Sequence, residues 1–208
     1  MIITWYGEGC FKIQSGEFTA LTDPIDSKTG LGAPCFKADV TLKTINPFPL
    51  TEEKDNENGV LILGAGEYNI KDANISGLLL EKESSQNFFK TVYLLEIEGI
   101  KICLLGHLSE TLEPAVLEHL EDVDILIIPA GGKPFIDEKA AVKLIKQIQP
   151  KIIIPSFFKI PGLKRQSADV KNFLEELNHK KYETQEKLTI KKKELIEMKT
   201  SEVVVLKV

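Results

Sequence analysis

The sequence predicts a mixed α and β fold in a single domain spanning residues 1–208, and three observations carry that reading. The first half consists of short β-branched and aromatic runs broken at glycines, the pattern of strands and hairpins. The second half alternates apolar runs with stretches whose apolar residues recur at helical spacing. No internal repeat or Pro/Gly-rich linker separates the halves, and 208 residues suffice for one substantial core.

Along the chain, residues 2–5, 10–14 and 17–22 read as strands separated by glycine turns. Residues 51–58 form a polar stretch, expected as an exposed loop, ahead of an apolar strand over 59–63. Strands over 73–80 and 91–97 flank a polar connection, 81–90, and Gly99 suits a tight turn into a strand over 100–105. Thr111 is placed to cap a helix over 112–121, with Pro114 tolerated in its first turn. A strand over 124–128 follows. Asp137 caps a helix reaching residue 148, where Ala140, Ala141, Leu144, Ile145 and Ile148 make one apolar stripe. Pro150 ends it ahead of a strand over 151–154. A third helix, 167–177, starts at Ser167 and carries Val170, Phe173, Leu174 and Leu177 at i, i+3, i+4 and i+7. Residues 181–208 read as a closing set of short strands, Val203–Leu206 being a buried one.

Composition excludes some classes of function. The chain is 43% hydrophobic and 27% charged, ordinary for a globular protein. Its net charge of −5 argues against a general nucleic-acid binder. The run Lys191-Lys192-Lys193 is too short to reverse that and reads as a solvated turn. Cys10, Cys35 and Cys103 form no CxxC pair, which favours reduced thiols and a cytoplasmic setting. Cys10 and Cys103 fall in strands, as small hydrophobes; Cys35 falls in a loop. No signal peptide is visible, and no apolar run approaches the roughly 18–20 residues that span a bilayer, so no membrane association is expected. Gly131-Gly132-Lys133 lacks the spacing of a phosphate loop.

A set of ordered segments is more specific. Ile3-Thr4-Trp5-Tyr6-Gly7-Glu8-Gly9-Cys10-Phe11, Leu21-Thr22-Asp23-Pro24 and Ala38-Asp39-Val40 are followed by Gly64-Ala65-Gly66-Glu67-Tyr68. Further on come 99–106, ending in Gly106, then 122–129 with Gly131-Gly132, then Ile152-Ile153-Ile154-Pro155-Ser156-Phe157-Phe158. In this order they resemble the small bacterial zinc-dependent hydrolases of the metallo-β-lactamase superfamily, over roughly the whole chain. The resemblance implies an α/β fold of the αββα type, a four-layer sandwich of two sheets with helices outside.

The resemblance also implies a zinc site that these residues do not supply. The family follows its Ala-Asp-Val strand with His-x-His-x-Asp-His, and those ligand positions fall here on Ile45, Pro47, Pro49 and Leu50. The position of its metal-bridging Asp is His107, its last ligand His is Phe157, and the His of its opening turn is Glu8. Residues 80–90 contain no His where another ligand is expected. Zinc takes nitrogen, sulfur and carboxylate donors, so no zinc or other cofactor is expected.

Two fates suit the vacated cavity. Ile45, Phe48, Leu50, Phe157 and Phe158 fill or line it, or they are ordinary apolar loop residues, some forming a contact patch. Pro47 and Pro49 would stiffen the 45–50 loop. His107 is the surviving polar residue of interest, either a base or ligand facing the old cleft or a loop histidine with local hydrogen bonds. Glu8, Asp23 and Asp26 could converge there as a hard-cation or acid–base cluster. The plainer alternative is that Asp23-Pro24 closes a turn and fixes a strand end. His119 and His179 read as surface residues, and Glu67 as a structural carboxylate of its Gly-rich turn.

The leading expectation is a metallo-β-lactamase-fold protein that has lost zinc and hydrolysis and acts as a self-associating or partner-binding module. The resemblance makes a homo-oligomer or an active paralogue the natural partner. The alternative is a hydrolase with a relocated or non-zinc site around Glu8, Asp23, Asp26 and His107. A third option keeps a small-molecule pocket without catalysis.

Overall fold

The computed structural model describes residues 1–50, 59–179 and 181–208; the loop expected over 51–58 lies outside the described residues. Strands Ile2–Gly7, Cys10–Ser15 and Phe18–Thr22 pair antiparallel in sequence order, with Ile3, Trp5, Phe11, Ile13 and Ala20 turned into the core. Strands Val40–Leu42 and Val60–Ile62 then add in parallel. Lys187–Thr189 pairs with the outer side of Ile2–Gly7, completing a six-stranded sheet.

The second sheet begins as an antiparallel meander of Gly66–Ile70, Ala73–Leu79, Phe88–Ile97 and Ile100–Leu104. It continues in parallel through Ile125–Pro129, Ile152–Ser156 and Glu202–Val203. Every residue of Ile125–Pro129 and Ile152–Ser156 is buried, as continuous apolar runs in a parallel sheet covered on both faces should be. Buried side chains of both sheets and of the helices form one core, and Trp5 of the first sheet meets Phe158 at 4.6 Å between ring centroids.

Helix Glu138–Ile148 is capped by Asp137, whose carboxylate accepts from the Ala140 amide at 2.9 Å, as the spacing predicts. Two other helix starts differ from expectation. The helix expected over 112–121 is the single turn Pro114–Leu117, preceded by extended Glu113 rather than capped by Thr111. Proline fixes its own φ and disfavours α geometry in the residue before it, so Pro114 sets the start. The helix expected from Ser167 is Val170–Glu176, because the Asp169 carboxylate takes the Lys171 amide and begins the helix there. The closing segment is not all strand. Thr184–Gln185 and Val205–Leu206 form a two-stranded parallel pair, and Lys192–Glu197 is helical, with the Glu194 carboxylate accepting from the Lys191 amide at 2.6 Å. The motif was illegible because Lys191 is not a cap-forming residue type.

The segment Ile45–Pro47, expected as a stiff loop, is a short strand paired antiparallel with Phe88–Lys90. Glu67 lies in a strand rather than a turn and accepts from the Ser76 hydroxyl at 2.6 Å.

Candidate functional site

The carboxyl ends of several strands open together onto one cleft of about 670 Å³. Glu8 follows Ile2–Gly7, Asp23 follows Phe18–Thr22, and Lys43 and Ile45 follow Val40–Leu42. From the second sheet, His107 follows Ile100–Leu104, Phe135 follows Ile125–Pro129, and Phe157 follows Ile152–Ser156. Strand ends are where loops can supply side chains to a ligand while the sheet fixes their positions.

His107, Thr44 and Asp23 form a hydrogen-bonded chain. The Asp23 carboxylate accepts from the Thr44 amide at 2.7 Å and from the Thr44 hydroxyl at 2.6 Å. The same hydroxyl lies 2.7 Å from His107 Nδ1. Two glycines make room for this approach. Gly106 has φ +54°, and a Cβ there would overlap the Thr44 side chain; a Cβ on Gly9 would lie 2.7 Å from the Asp23 carboxylate. Burial holds the His107 imidazole below its ordinary pKa, the Asp23 charge only partly offsetting it, so the neutral ring is favoured.

Glu8 is held differently. Its backbone sits at φ 53°, and its carboxylate is clamped by Arg165, with Nη2 3.0 Å from Oε2 and Nε 3.2 Å from both oxygens. Arg165 Nη2 also donates to the Phe157 carbonyl at 2.6 Å, and the guanidinium lies over Phe135, 4.9 Å from its centroid. Phe157 itself has φ 57°, and a Cβ on Gly131 would strike its carbonyl oxygen. The Phe157 ring is buried between Phe135 at 4.3 Å and His107 at 5.0 Å, and it presses on Gly9, where a Cβ would lie 2.6 Å from Cζ.

The residues singled out in sequence are thus brought together only in part. Glu8, Asp23, His107 and Phe157 converge, and Ile45 lines the cleft. Asp26 does not join the polar group: it is an exposed rim residue whose carboxylate caps the turn Ser27–Thr29 through the Lys28 amide at 2.7 Å. Phe48 and Leu50 are 58% and 50% exposed, so they do not fill the cavity; Pro47 and Pro49 are exposed as well. Phe158 leaves the site for the core, against Trp5. Cys10 and Cys103 are buried, and Cys35 is exposed. Burial pushes the Cys10 thiol up to about 12, which suits a small hydrophobe rather than a nucleophile. His119 is exposed and half-buried His179 lies after the third helix.

Thr44 and Arg165 escape the sequence reading. Arg165 did carry a signal: it is the only arginine in the 208 residues.

The donor set present does not fit a zinc ion. Among the described residues no group of three or more His, Cys, Asp or Glu side chains is arranged to hold a metal. Ile45, Pro47, Pro49 and Leu50 have no donor atoms in their side chains, the Glu8 carboxylate is taken by Arg165, and Asp23 is taken by Thr44.

Comparison with known proteins supports the fold described above. A UPF0173 protein of Pyrococcus abyssi is 28% identical over 184 residues, covering 76% of this chain and 83% of its own. A crystal structure of a proposed zinc-dependent hydrolase of the metallo-β-lactamase superfamily from Thermotoga maritima matches with a TM-score of 0.78 at 28% identity, over 99% of this chain and 97% of that one. A metallo hydrolase from Ignicoccus hospitalis shares the fold at a TM-score of 0.64 and 15% identity, over 91% and 99% of the two chains. No helix among the described residues is long and apolar enough to cross a membrane. The family model of the β-lactamase superfamily domain matches residues 2–156, and the chain belongs to that superfamily, with the metallo-β-lactamase fold.

Proposed function

We propose that this protein is a zinc-free member of the superfamily that has given up metal-dependent hydrolysis and acts by binding. The observation that supports this best is Phe157, whose buried ring stands at the family's last ligand position and packs on His107 and Gly9. A ring there offers no donor and takes up space that an ion and its water would need. Arg165 adds a fixed positive charge beside Glu8, which further disfavours a cation.

The test is elemental analysis of untagged, chelator-free protein, combined with thermal unfolding in zinc. A site of micromolar affinity would stabilise the fold by about 2.7 kcal/mol at a hundredfold excess over Kd. The expected result is no stoichiometric metal and no zinc-dependent rise in Tm. One or two ions per chain would sink the reading.

The partner-binding form of this reading has exposed Phe48 and Leu50 in its favour. Light scattering on the wild type and on a Phe48→Ser, Leu50→Ser double variant tests self-association through them. A second reading, a hydrolase with a non-zinc site, draws on the Asp23–Thr44–His107 chain at an open cleft. Turnover of any ester or phosphoester that disappears in His107→Ala would favour it.

A further inference from the structure

The hydrogen-bonded chain fixes which nitrogen of His107 faces a ligand. A carboxylate only accepts, so the Thr44 hydroxyl, 2.6 Å from Asp23 Oδ2, spends its single proton on Asp23. The contact of 2.7 Å between that hydroxyl and His107 Nδ1 then needs its proton from the ring: Nδ1–H donates to Thr44 Oγ1. A neutral imidazole protonated at Nδ1 has a lone pair at Nε2. Nε2 has no hydrogen-bond partner among the described residues, and His107 lines the cleft with a quarter of its side chain exposed. The Thr44 contact at Nδ1 sets the ring's orientation, and Phe157 and Phe135 pack beside it at 5.0 and 5.9 Å between centroids.

We propose that the cleft is a binding site for a small molecule with a planar or apolar body and one O–H or N–H donor, which His107 Nε2 accepts. This deepens the binding reading above and rests on the cleft being used without a metal. The apolar wall of Ile45, Phe135, Phe157 and Leu163 receives the body, and the volume of about 670 Å³ accommodates one such molecule. Thr44 is a positioning residue: it carries the influence of Asp23 to the ring without touching the ligand. Leaving a buried acceptor unmet costs more than the bond itself contributes, so a ligand lacking the donor is penalised.

The test uses metal-stripped full-length protein with nitrogen-15 histidine, recorded at about pH 8, where an imidazole of lowered pKa is neutral. The expected spectrum shows a single His107 tautomer, with a protonated Nδ1 and an unprotonated Nε2. Phenol should shift the Nε2 resonance and bind about tenfold more tightly than toluene, which has the same shape without the donor. Thr44→Val should lose the single tautomer and Thr44→Ser should keep it, so a valine variant that fails to fold still leaves the serine variant and the wild type as readouts. A wild-type ring protonated at Nε2, or equal binding of phenol and toluene, overturns the proposal. Metal in the purified protein would overturn the zinc-free reading instead, and the tautomer would be read independently after stripping.

Discussion

Arg165, the only arginine in the chain, closes on the carboxylate of Glu8 from 157 residues away, with Nη2 3.0 Å from Oε2 and Nε shared between both oxygens. Glu8 stands in the turn between Ile2–Gly7 and Cys10–Ser15. The guanidinium and the carboxylate are a matched pair: one supplies N–H donors and positive charge, the other the acceptor oxygens. The same Nη2 binds the Phe157 carbonyl, so one side chain ties the loop after Ile2–Gly7 to the loop after Ile152–Ser156. Both loops line the cleft.

Replacing Arg165 with alanine should therefore cost about 1.5–3 kcal/mol, the range for hydrogen bonds to charged groups, because Glu8 and the Phe157 carbonyl both lose their donor. Arg165→Lys should recover only part of this, since an ammonium cannot span both carboxylate oxygens and the carbonyl together. Urea unfolding of the three proteins measures it. Equal stability of the lysine variant and wild type would show that charge alone suffices.

How much of this could be read in advance differs between the frame and the site. The strand runs, the Asp137 cap and the placement of Glu8, Asp23, His107 and Phe157 at strand ends are legible, because ordered motifs and periodicity fix local structure. The fate of Phe48 and Leu50 was not. Hydrophobicity says that a side chain gains from burial, but Ile45–Pro47 pairs with Phe88–Lys90, and that pairing carries the following residues outward into solvent. Asp26, one candidate for the polar cluster, lines the rim of the cleft, where its carboxylate takes the Lys28 amide rather than joining Asp23 and His107. Thr44 and Arg165 act through contacts across 21 and 157 residues of sequence, which no local pattern encodes.

Gly9 tests how closely Phe157 packs. A Cβ there would lie 2.6 Å from the Phe157 ring and 2.7 Å from Asp23, on opposite duties of the same site. Gly9→Ala should lower stability by about 1–3 kcal/mol, the usual cost of overpacking, and disturb the His107 resonances through Phe157 and Asp23. A stability unchanged within about 0.5 kcal/mol would mean that the ring moves freely aside.

Glu83 anchors the far side of the His107 loop. Its carboxylate accepts from Lys90 at 2.7 Å, from the Ser109 hydroxyl at 2.6 Å and from the Ser109 and Glu110 amides, each at 2.8 Å. Burial pushes its pKa up, but Lys90 and the Ser109 donors together outweigh that and hold it below the usual range. A depressed carboxylate contributes stability above its unfolded value of about 4.3 and loses it as pH falls through the folded value. Glu83→Ala should cost about 3–5 kcal/mol near neutrality by stranding Lys90, and the deficit relative to wild type should shrink below about pH 4. Denaturant midpoints across that range would decide it, and a constant deficit would contradict the depressed pKa.

His107 has the opposite charge chemistry and a different window. Burial lowers its pKa, with Lys90 and Arg165 acting in the same sense, while Asp23 and Glu8 pull the other way. A histidine whose folded pKa lies below its unfolded value of about 6.5 binds its proton more readily unfolded. The neutral ring therefore supports the fold fully above about pH 6.5, and that support is lost progressively as pH falls through the folded pKa. His107→Gln removes the titration while keeping a polar side chain. The stability difference between wild type and this variant should narrow as pH falls from about 7.5 to 5.5, followed by urea midpoints at constant ionic strength. A difference that widens instead would mean that Asp23 dominates, that the ring is imidazolium in the fold, and that Nε2 carries a proton rather than a lone pair into the cleft.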